Sequence, residues 1–404
     1  MDTGSTTFMI LCTSLVMLMT PGLAFFYGGL AGKRNILGIM MQTFVSLGLT
    51  TVMWVAFGYS LCFSGGEGGV IGNFDFLFLN GIEPTELFGP TGGKYPTYIF
   101  IAYQMMFAII TPALITGAFV NRVTFKSYLI FLVFWQIFVY YPFVHMIWGG
   151  GLLAEWGVLD FAGGIVVHAT AGFAALASVF YVGKRRDKQT PPNSIPLVAI
   201  GTGLLWFGWY GFNAGSVLDV TTSTTLAFLN TDVAASFAAV TWLAIEWIET
   251  GKPKFVGLLT GAVAGLATIT PAAAFVPLWG AIVIGISSGF VCYLAVKMKN
   301  KFGWDDALDV WGVHGIGGTL GTILLGIFAT ASIGGQAGLI EGDSAFFMKE
   351  VVSVLGAAAY AFIFTYVMLI IINYFVRVRV TEDEENAGLD ESLHGEKAYD
   401  EGAL

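Results

Sequence analysis

Residues 160–168 read DFAGGIVVH and residues 306–314 read DALDVWGVH, and each segment opens a long apolar stretch of the chain. In each segment an aspartate is followed eight residues later by a histidine, so that His168 and His314 occupy equivalent positions. Eight residues of α-helix rise about 12 Å. The two segments therefore predict two similar helices, each with a histidine about 12 Å from its start.

The composition of the 404-residue chain is that of a membrane protein, because 56% of its residues are hydrophobic and only 11% are charged. A soluble domain carries roughly 25% charged residues. We therefore do not expect a soluble enzyme, a disordered protein or a nucleic-acid binder, and the net charge of −9 argues further against a nucleic-acid partner. The three cysteines match no metal or redox spacing, and we expect no metal and no cofactor.

Eleven membrane spans are predicted, since a crossing helix needs about 20 mostly apolar residues. The window 255–296 contains Pro271 and Pro277 and predicts two helices joined by a tight turn, while the stretch 220–245 is interrupted only by Asp232. The other eight spans lie in charge-free windows at 3–32, 35–66, 95–121, 127–154, 161–183, 189–218, 310–340 and 351–376.

The basic residues favour one orientation of these spans. An odd number of spans places the termini on opposite sides. With the N-terminus outside, 16 of the 18 lysines and arginines fall in inner loops or in the C-terminal tail, and only Lys94 and Lys349 lie outside. Positive charge concentrates on the cytoplasmic side of membrane proteins. We therefore expect a multi-pass protein of the plasma or inner membrane, with an outer N-terminus and a cytoplasmic C-terminus.

The paired histidine segments predict an inverted repeat. Spans one to five (about 1–190) and six to ten (about 191–335) form two halves, and an eleventh helix follows at about 346–378. Because each half has an odd number of spans, the halves are inverted, and such transporters usually bind substrate near the midplane. A hydrocarbon core about 30 Å thick would bring both histidines close to that plane.

Two interpretations of the histidines stay open at this point. In the first, both are neutral, share one N–H···N hydrogen bond and line a pore, because an ionisable group at that depth is costly and usually functional. In the second, each is a buried histidine satisfied by a backbone carbonyl group. Asp160 and Asp306 are each expected to cap a helix N-terminus, with an electrostatic contribution of Asp160 to a cation site as the alternative.

Several motifs in the same order resemble those of the ammonium transporter, methylammonium permease and Rhesus family. They lie at residues 21–29 (PGLAFFYGG), 145–153 (HMIWGGGLL), 160–168, 209–216 (WYGFNAGS) and 309–315 (DVWGVHG), and the resemblance spans nearly the whole chain. It is nearest to the bacterial and archaeal ammonium transporters. It implies a homotrimer with one pore per subunit, no enzymatic activity, and ammonium or ammonia as the substrate, with methylammonium as a candidate second substrate.

The resemblance also implies roles for single residues. The residues that resemble an external site for NH4+ are Phe107, Trp148, Ser216 and the supporting Asp160. The residues that resemble an aromatic gate and a twin-histidine pore are Phe107, Phe212, His168, His314 and Trp209.

On this interpretation NH4+ is recruited outside, loses a proton and passes the phenylalanine gate as NH3, while the proton crosses by its own route. A dry gate penalises every intact ion, and K+ has no proton to lose. Two alternatives remain: an ammonium sensor that transports little, and a membrane protein that holds haem between two histidines.

The net charge of −9 belongs almost entirely to residues 381–404. That segment holds nine acidic residues and Lys397, a net charge of −8, whereas residues 1–380 hold 17 basic and 18 acidic residues, a net charge of −1. We therefore divide the chain into a transmembrane domain, 1–380, and an acidic cytoplasmic tail, 381–404. The tail resembles the regulatory tail of the family, and the resemblance implies a PII-type signalling protein as its partner.

Overall fold

The computed structural model describes residues 1–66, 68–186 and 191–399. Lys188, which the orientation argument counts among the basic residues, and Asp400 and Glu401 of the tail lie outside the described residues. Within these ranges every regular element is a helix, and pairing of extended chain is limited to two isolated bridges. The all-α fold class is therefore confirmed.

Ten helices of the described chain are long and apolar enough to cross a membrane, and one further apolar helix has only 15 residues. In chain order the eleven are α1 (Thr3–Leu30), α2 (Ile36–Phe63), α3 (Thr97–Ala118), α4 (Phe125–Trp156), α5 (Gly164–Val182), α6 (Ile195–Val217), α7 (Thr222–Thr250), the short α8 (Phe255–Ile269), α9 (Leu278–Phe302), α10 (Trp311–Phe328) and α11 (Ser344–Phe375). The predicted window 255–296 contains α8 and most of α9. An eight-residue segment, 270–277, joins them in place of a tight turn.

Polar side chains ahead of several helices satisfy the N–H groups that have no partner within the helix. Asp2 accepts from the Ser5 amide at the start of α1, and Asp343 accepts from the Phe346 amide at the start of α11. Helix α2 differs, because its own cap residue, Asn35, makes no such bond.

The two histidine-bearing helices start later than the sequence predicts. Residues 160–163 and 306–309 are not helical, and α5 and α10 open with the π-helical turns Gly164–Ala169 and Trp311–Gly315. Each histidine lies inside one of these turns, so the expectation of eight helical residues between aspartate and histidine is wrong. Such π-helical turns are frequent at functional sites.

Glycines allow α5 and α10 to cross in direct contact. A Cβ atom on Gly172 would lie 2.1 Å from the backbone nitrogen of Gly315, and one on Gly318 would lie 2.7 Å from the Cβ of His168. Only a residue without a side chain permits such an approach between membrane helices. The crossing places the rings of His168 and His314 side by side in the core.

The C-terminal tail packs on one face of the helical body. It forms two short helices, α12 (Glu382–Ala387) and α13 (Leu389–His394). The Asp390 carboxylate accepts the Gly38 N–H at 2.7 Å and so provides the cap that α2 lacks. Arg34 donates to the carbonyl of Asn386 at 2.7 Å, and the Arg186 amide donates to the Glu385 carboxylate at 2.8 Å. Two basic loops and the acidic tail therefore share one face.

Candidate functional site

A cavity of about 470 Å³, the outer cavity in the predicted orientation, lies at the end of the body away from the tail and is lined mainly by aromatic side chains. Trp148, Phe107 and Ser216, all predicted for the external site, line this cavity. Its other lining residues are Tyr59, Phe63, Phe88, Pro90, Phe100, Gln104, Ile147, Gly149, Phe161 and Leu218. The cavity is therefore rich in the ring faces that attract small cations.

The indole of Trp148 is held by the segment that precedes α5. Its Nε1 donates to the carbonyl oxygen of Asp160 at 2.7 Å. The Asp160 carboxylate in turn accepts four backbone N–H groups, those of Gly163, Gly164, Ile165 and Val166, at 2.5–2.9 Å. Asp160 is only 4% exposed and is not among the cavity-lining residues. It thus caps α5 as predicted, and its main chain orients Trp148.

Two phenylalanine rings close the inner end of this cavity. The ring centroids of Phe107 and Phe212 lie 4.3 Å apart, and the planes are tilted by 35°. Both residues are 1% exposed. The hydroxyl of Tyr103 donates to the Phe212 carbonyl at 2.9 Å and lies 3.2 Å from the Ser216 hydroxyl. The Tyr103 bond thus holds the main chain that carries Phe212, and the two rings in contact form the boundary of the cavity.

A second cavity, of about 250 Å³, lies on the other side of the two rings. It is lined by Phe212, Trp209 and both histidines, and continues to residues near the tail-bearing face. The Nδ1 atoms of His168 and His314 are 3.3 Å apart, and their rings are nearly parallel, with centroids separated by 5.2 Å. Trp209 stacks on the His168 ring at 5.5 Å and donates its N–H to Thr270 at 2.9 Å. The structure therefore brings together all the residues predicted for the gate and the pore.

The inner end of this second cavity carries a cluster of charged groups. Asp309 and Arg185 line it. Asp305 lies beside it and forms ion pairs with Arg185 at 2.8 Å and with Arg122 at 3.7 Å. Burial alone would raise the pKa of Asp305, but the hydrogen bonds from Arg185 and the charge of Arg122 outweigh it and lower that pKa to about 2. Burial lowers the pKa of Arg122 to about 10, so both groups are charged at neutral pH.

Sequence reasoning missed three residues that adjoin the two cavities. Tyr103, which binds the Phe212 carbonyl, and Gln104, which lines the outer cavity, belong to none of the motifs that carry the resemblance. Lys299 contacts Asp306 and Asp309 near the inner mouth. The sequence places Lys299 among the basic residues of a predicted inner loop and does not indicate these contacts. Among the described residues no group of three or more His, Cys, Asp or Glu side chains is arranged to hold a metal ion.

The chain is similar to known proteins in both sequence and fold. The family model described as Ammonium Transporter Family matches residues 7–399. The chain is 44% identical over 405 residues to a Bacillus subtilis protein named ammonium transporter, which covers 99% of each chain. It is 42% identical to ammonium transporter Amt1 of Archaeoglobus fulgidus, over 99% of this chain and 100% of that one. The crystal structure of Saccharomyces cerevisiae Mep2 superposes with a TM-score of 0.88 at 33% identity, over 95% of this chain and 88% of that chain.

Proposed function

The chain belongs to the ammonium transporter family, and on that premise we propose that it moves ammonium across the cell membrane by conducting ammonia through its helical body. The family is one of transporters and not of enzymes. One observation carries the proposal: an aromatic cavity, a closed pair of phenylalanine rings and a buried histidine pair follow one another along a single path.

Recruitment of NH4+ takes place in the outer cavity. The face of an indole attracts a cation with about 0.5–2 kcal/mol, and Trp148 presents its ring to this cavity. The Ser216 hydroxyl donates to the Phe212 carbonyl at 2.8 Å, which leaves its oxygen able to accept an N–H from the ion. An ion with four N–H donors is thereby held between a ring and a hydroxyl group.

Selection takes place at Phe107 and Phe212. The two rings offer no hydrogen-bonding group. An intact ion that passes between them therefore loses its hydrating water molecules without replacement, and this raises its free energy. Ammonium avoids that cost by releasing a proton and passing as NH3, whereas K+, a cation of similar size, cannot. Selectivity thus follows from the chemistry of the ion.

The histidine pair then receives the neutral molecule. Among the described residues the Nε2 of His168 is buried and has no hydrogen-bond partner, while the two Nδ1 atoms face each other. A neutral pair can share one N–H···N bond and offer its remaining nitrogens to NH3. The proton crosses by a separate route, which makes transport electrogenic.

Removal of either histidine tests this assignment. We expect His168→Ala and His314→Ala each to abolish the preference for ammonium over K+ in proteoliposome flux measurements. His145→Ala is the control, because His145 is also fully buried but binds the carbonyl groups of Cys62 and Gly66 and lines neither cavity. If the preference survives in both pore variants, the pair is not part of the filter.

The topology is proposed from the same features. Eleven spans, counting the short α8, form two inverted five-helix repeats and a final helix, with the N-terminus outside. The matching π-helical turns of α5 and α10 support the repeat. The packing of the tail against the loops of Arg34 and Arg186 supports a common, cytoplasmic face for the tail and the basic loops.

A homotrimer is proposed because a carboxylate is partly exposed on the side of the helical bundle that would face lipid. Asp232 lies ten residues into α7, well inside the helix, and accepts from Tyr210 at 2.6 Å and from Trp206 at 3.1 Å. All three side chains are partly exposed, and a carboxylate facing lipid is costly. Cover by a neighbouring subunit removes that cost.

The exposed acidic side chains of residues 381–399 are the proposed docking surface for a PII-type protein.

The two alternatives are less well supported. A sensor with little transport is disfavoured because the relatives at 42–45% identity are named ammonium transporters. A haem held between the histidines is disfavoured because their Nδ1 atoms face each other at 3.3 Å, a hydrogen-bonding distance that leaves no space for a metal ion between them.

A further inference from the structure

The carbonyl groups of Asp160 and Asp306 have equivalent positions in the two halves but different partners. The Asp160 carbonyl accepts from the indole N–H of Trp148 at 2.7 Å. The Asp306 carbonyl accepts from the Lys299 ammonium group at 2.6 Å. At the outer end the partner of the carbonyl is thus the neutral ring of Trp148, which faces an open cavity. At the inner end the equivalent partner is the cationic side chain of Lys299.

Lys299 lies near the end of α9 and is almost fully buried, with 6% of its surface exposed. Its Nζ atom contacts a second oxygen, Oδ1 of Asp309, at 2.6 Å. The side chain of Asp309 is 31% exposed and lines the inner cavity. Among the described residues Oδ1 of Asp306, which is also buried, has no hydrogen-bond partner. The Nζ atom is therefore bound by two oxygen atoms in a buried pocket, and Asp309 links this pocket to the cavity.

This pocket has the chemistry of an ammonium site, because the head group of a lysine is an ammonium ion bonded to one carbon atom. Carboxylate and carbonyl oxygens at 2.6 Å would accept from free NH4+ as they accept from Lys299. Lys299 is also paired directly with the Asp309 carboxylate. Without Lys299 that carboxylate, which lines the cavity, would lose its cationic partner and would attract cations.

We propose that Lys299 occupies an ammonium site at the inner mouth of the pore, so that the protein binds ammonium more weakly from its inner face than from its outer face. The inference rests on the proposed function, because it concerns the exit of the same path. The proposal concerns the ammonium concentration that gives half-maximal current at each face. It does not concern how much ammonium accumulates inside, since a passive pore cannot change the equilibrium distribution of its substrate. Lys299 keeps the exit from holding the ion that forms when ammonia regains a proton.

The test compares the two faces of the full-length protein in right-side-out and inside-out membrane vesicles. The readout is the ammonium concentration that gives half-maximal current at each face. We expect the inner value of the unmodified protein to exceed the outer value, and Lys299→Met to lower the inner value about tenfold, the factor that one charge-assisted hydrogen bond contributes. The outer value should not change.

Two matched variants separate the site from a general effect of charge. Lys299→Met combined with Asp309→Asn removes both charges of the pair and should return the inner value toward that of the unmodified protein. Lys297→Met removes an exposed lysine from the same helix that pairs with Glu249 at 2.8 Å, and should change neither value. An inner value that stays the same in Lys299→Met, with the outer current intact, would overturn the proposal.

A variant that carries no current is still informative. Purified Lys299→Met should melt at a higher temperature in ammonium chloride than in choline chloride, by a larger margin than the unmodified protein, because a vacated site binds the ion only in the folded state. An equal margin in both proteins overturns the inference. Absence of any ammonium current from the unmodified protein at either face would instead contradict the proposed function itself.

Discussion

Substitution of Asp160 by asparagine should destabilise the protein and weaken recruitment of ammonium together. Each carboxylate oxygen of Asp160 accepts two backbone N–H groups at the start of α5. The asparagine carbonyl can replace one oxygen, but its NH2 group then faces the two other N–H groups. An unpaired buried N–H costs about 1–3 kcal/mol, so the variant should lose about 2–6 kcal/mol.

Thermal unfolding of the detergent-purified protein measures this loss. The unfolding entropy of about 2.1 cal/mol/K per residue means that each kcal/mol lowers the melting temperature of a 404-residue chain by about 1.2 °C, which gives a fall of at least about 2 °C for Asp160→Asn. The concentration of ammonium that gives half-maximal current should rise as well, because the Asp160 main chain positions Trp148. Asp75→Asn is the control, since Asp75 is exposed and, within the described part of the chain, its bonds are to nearby Asn73. A melting temperature within about 1 °C of the unmodified protein, a margin below the smallest expected loss, would refute the capping argument.

Three further changes have defined outcomes. Phe212→Ala should join the two cavities and admit a K+ current, so its absence would show that the rings are not the barrier to ions. Asp390→Ala removes the cap of α2, which lowers stability by about 1 kcal/mol. The variant should be cleaved faster in the tail by protease, while its preference for ammonium over K+ stays the same. A changed preference would link the tail to selection. The pKa of Asp305 is about 2 in the folded protein and 3.8 in the unfolded chain. Its ion pairs with Arg122 and Arg185 therefore stabilise the folded protein by about 2 kcal/mol above pH 4, and this stabilisation is lost as the pH falls to 2. The difference in melting temperature between the protein and Asp305→Asn should therefore be constant above pH 4 and shrink below it, and a difference that grows in acid would contradict this sign.

The sequence predicts most of the path because the chemistry of membranes is restrictive. Apolar windows locate the helices, and two histidines in a body with so few charges are visible at once. The repeat of aspartate and histidine pointed to a pair, and the rings of His168 and His314 are in contact. The depth argument failed in its detail, because Asp160 lies in a non-helical segment and the helix begins only at Gly164.

Contacts between distant parts of the chain could not be predicted from local patterns. Asp390 caps a helix that begins more than 350 residues earlier, and nothing near either residue signals the bond. The Tyr103 hydroxyl donates to the carbonyl of Phe212 on another helix, and neither local sequence signals that bond. Lys299 reads as one more basic residue of an inner loop until its contacts with Asp306 and Asp309 are known.

The current evoked by ammonium in proteoliposomes, with K+ at the same concentration as the control, tests the central claim most directly. If recruitment, deprotonation and a dry phenylalanine gate act in sequence, an ammonium pulse produces a saturable current and a K+ pulse produces none. Equal currents from the two ions, or no ammonium current while ammonium still stabilises the purified protein, would contradict the account.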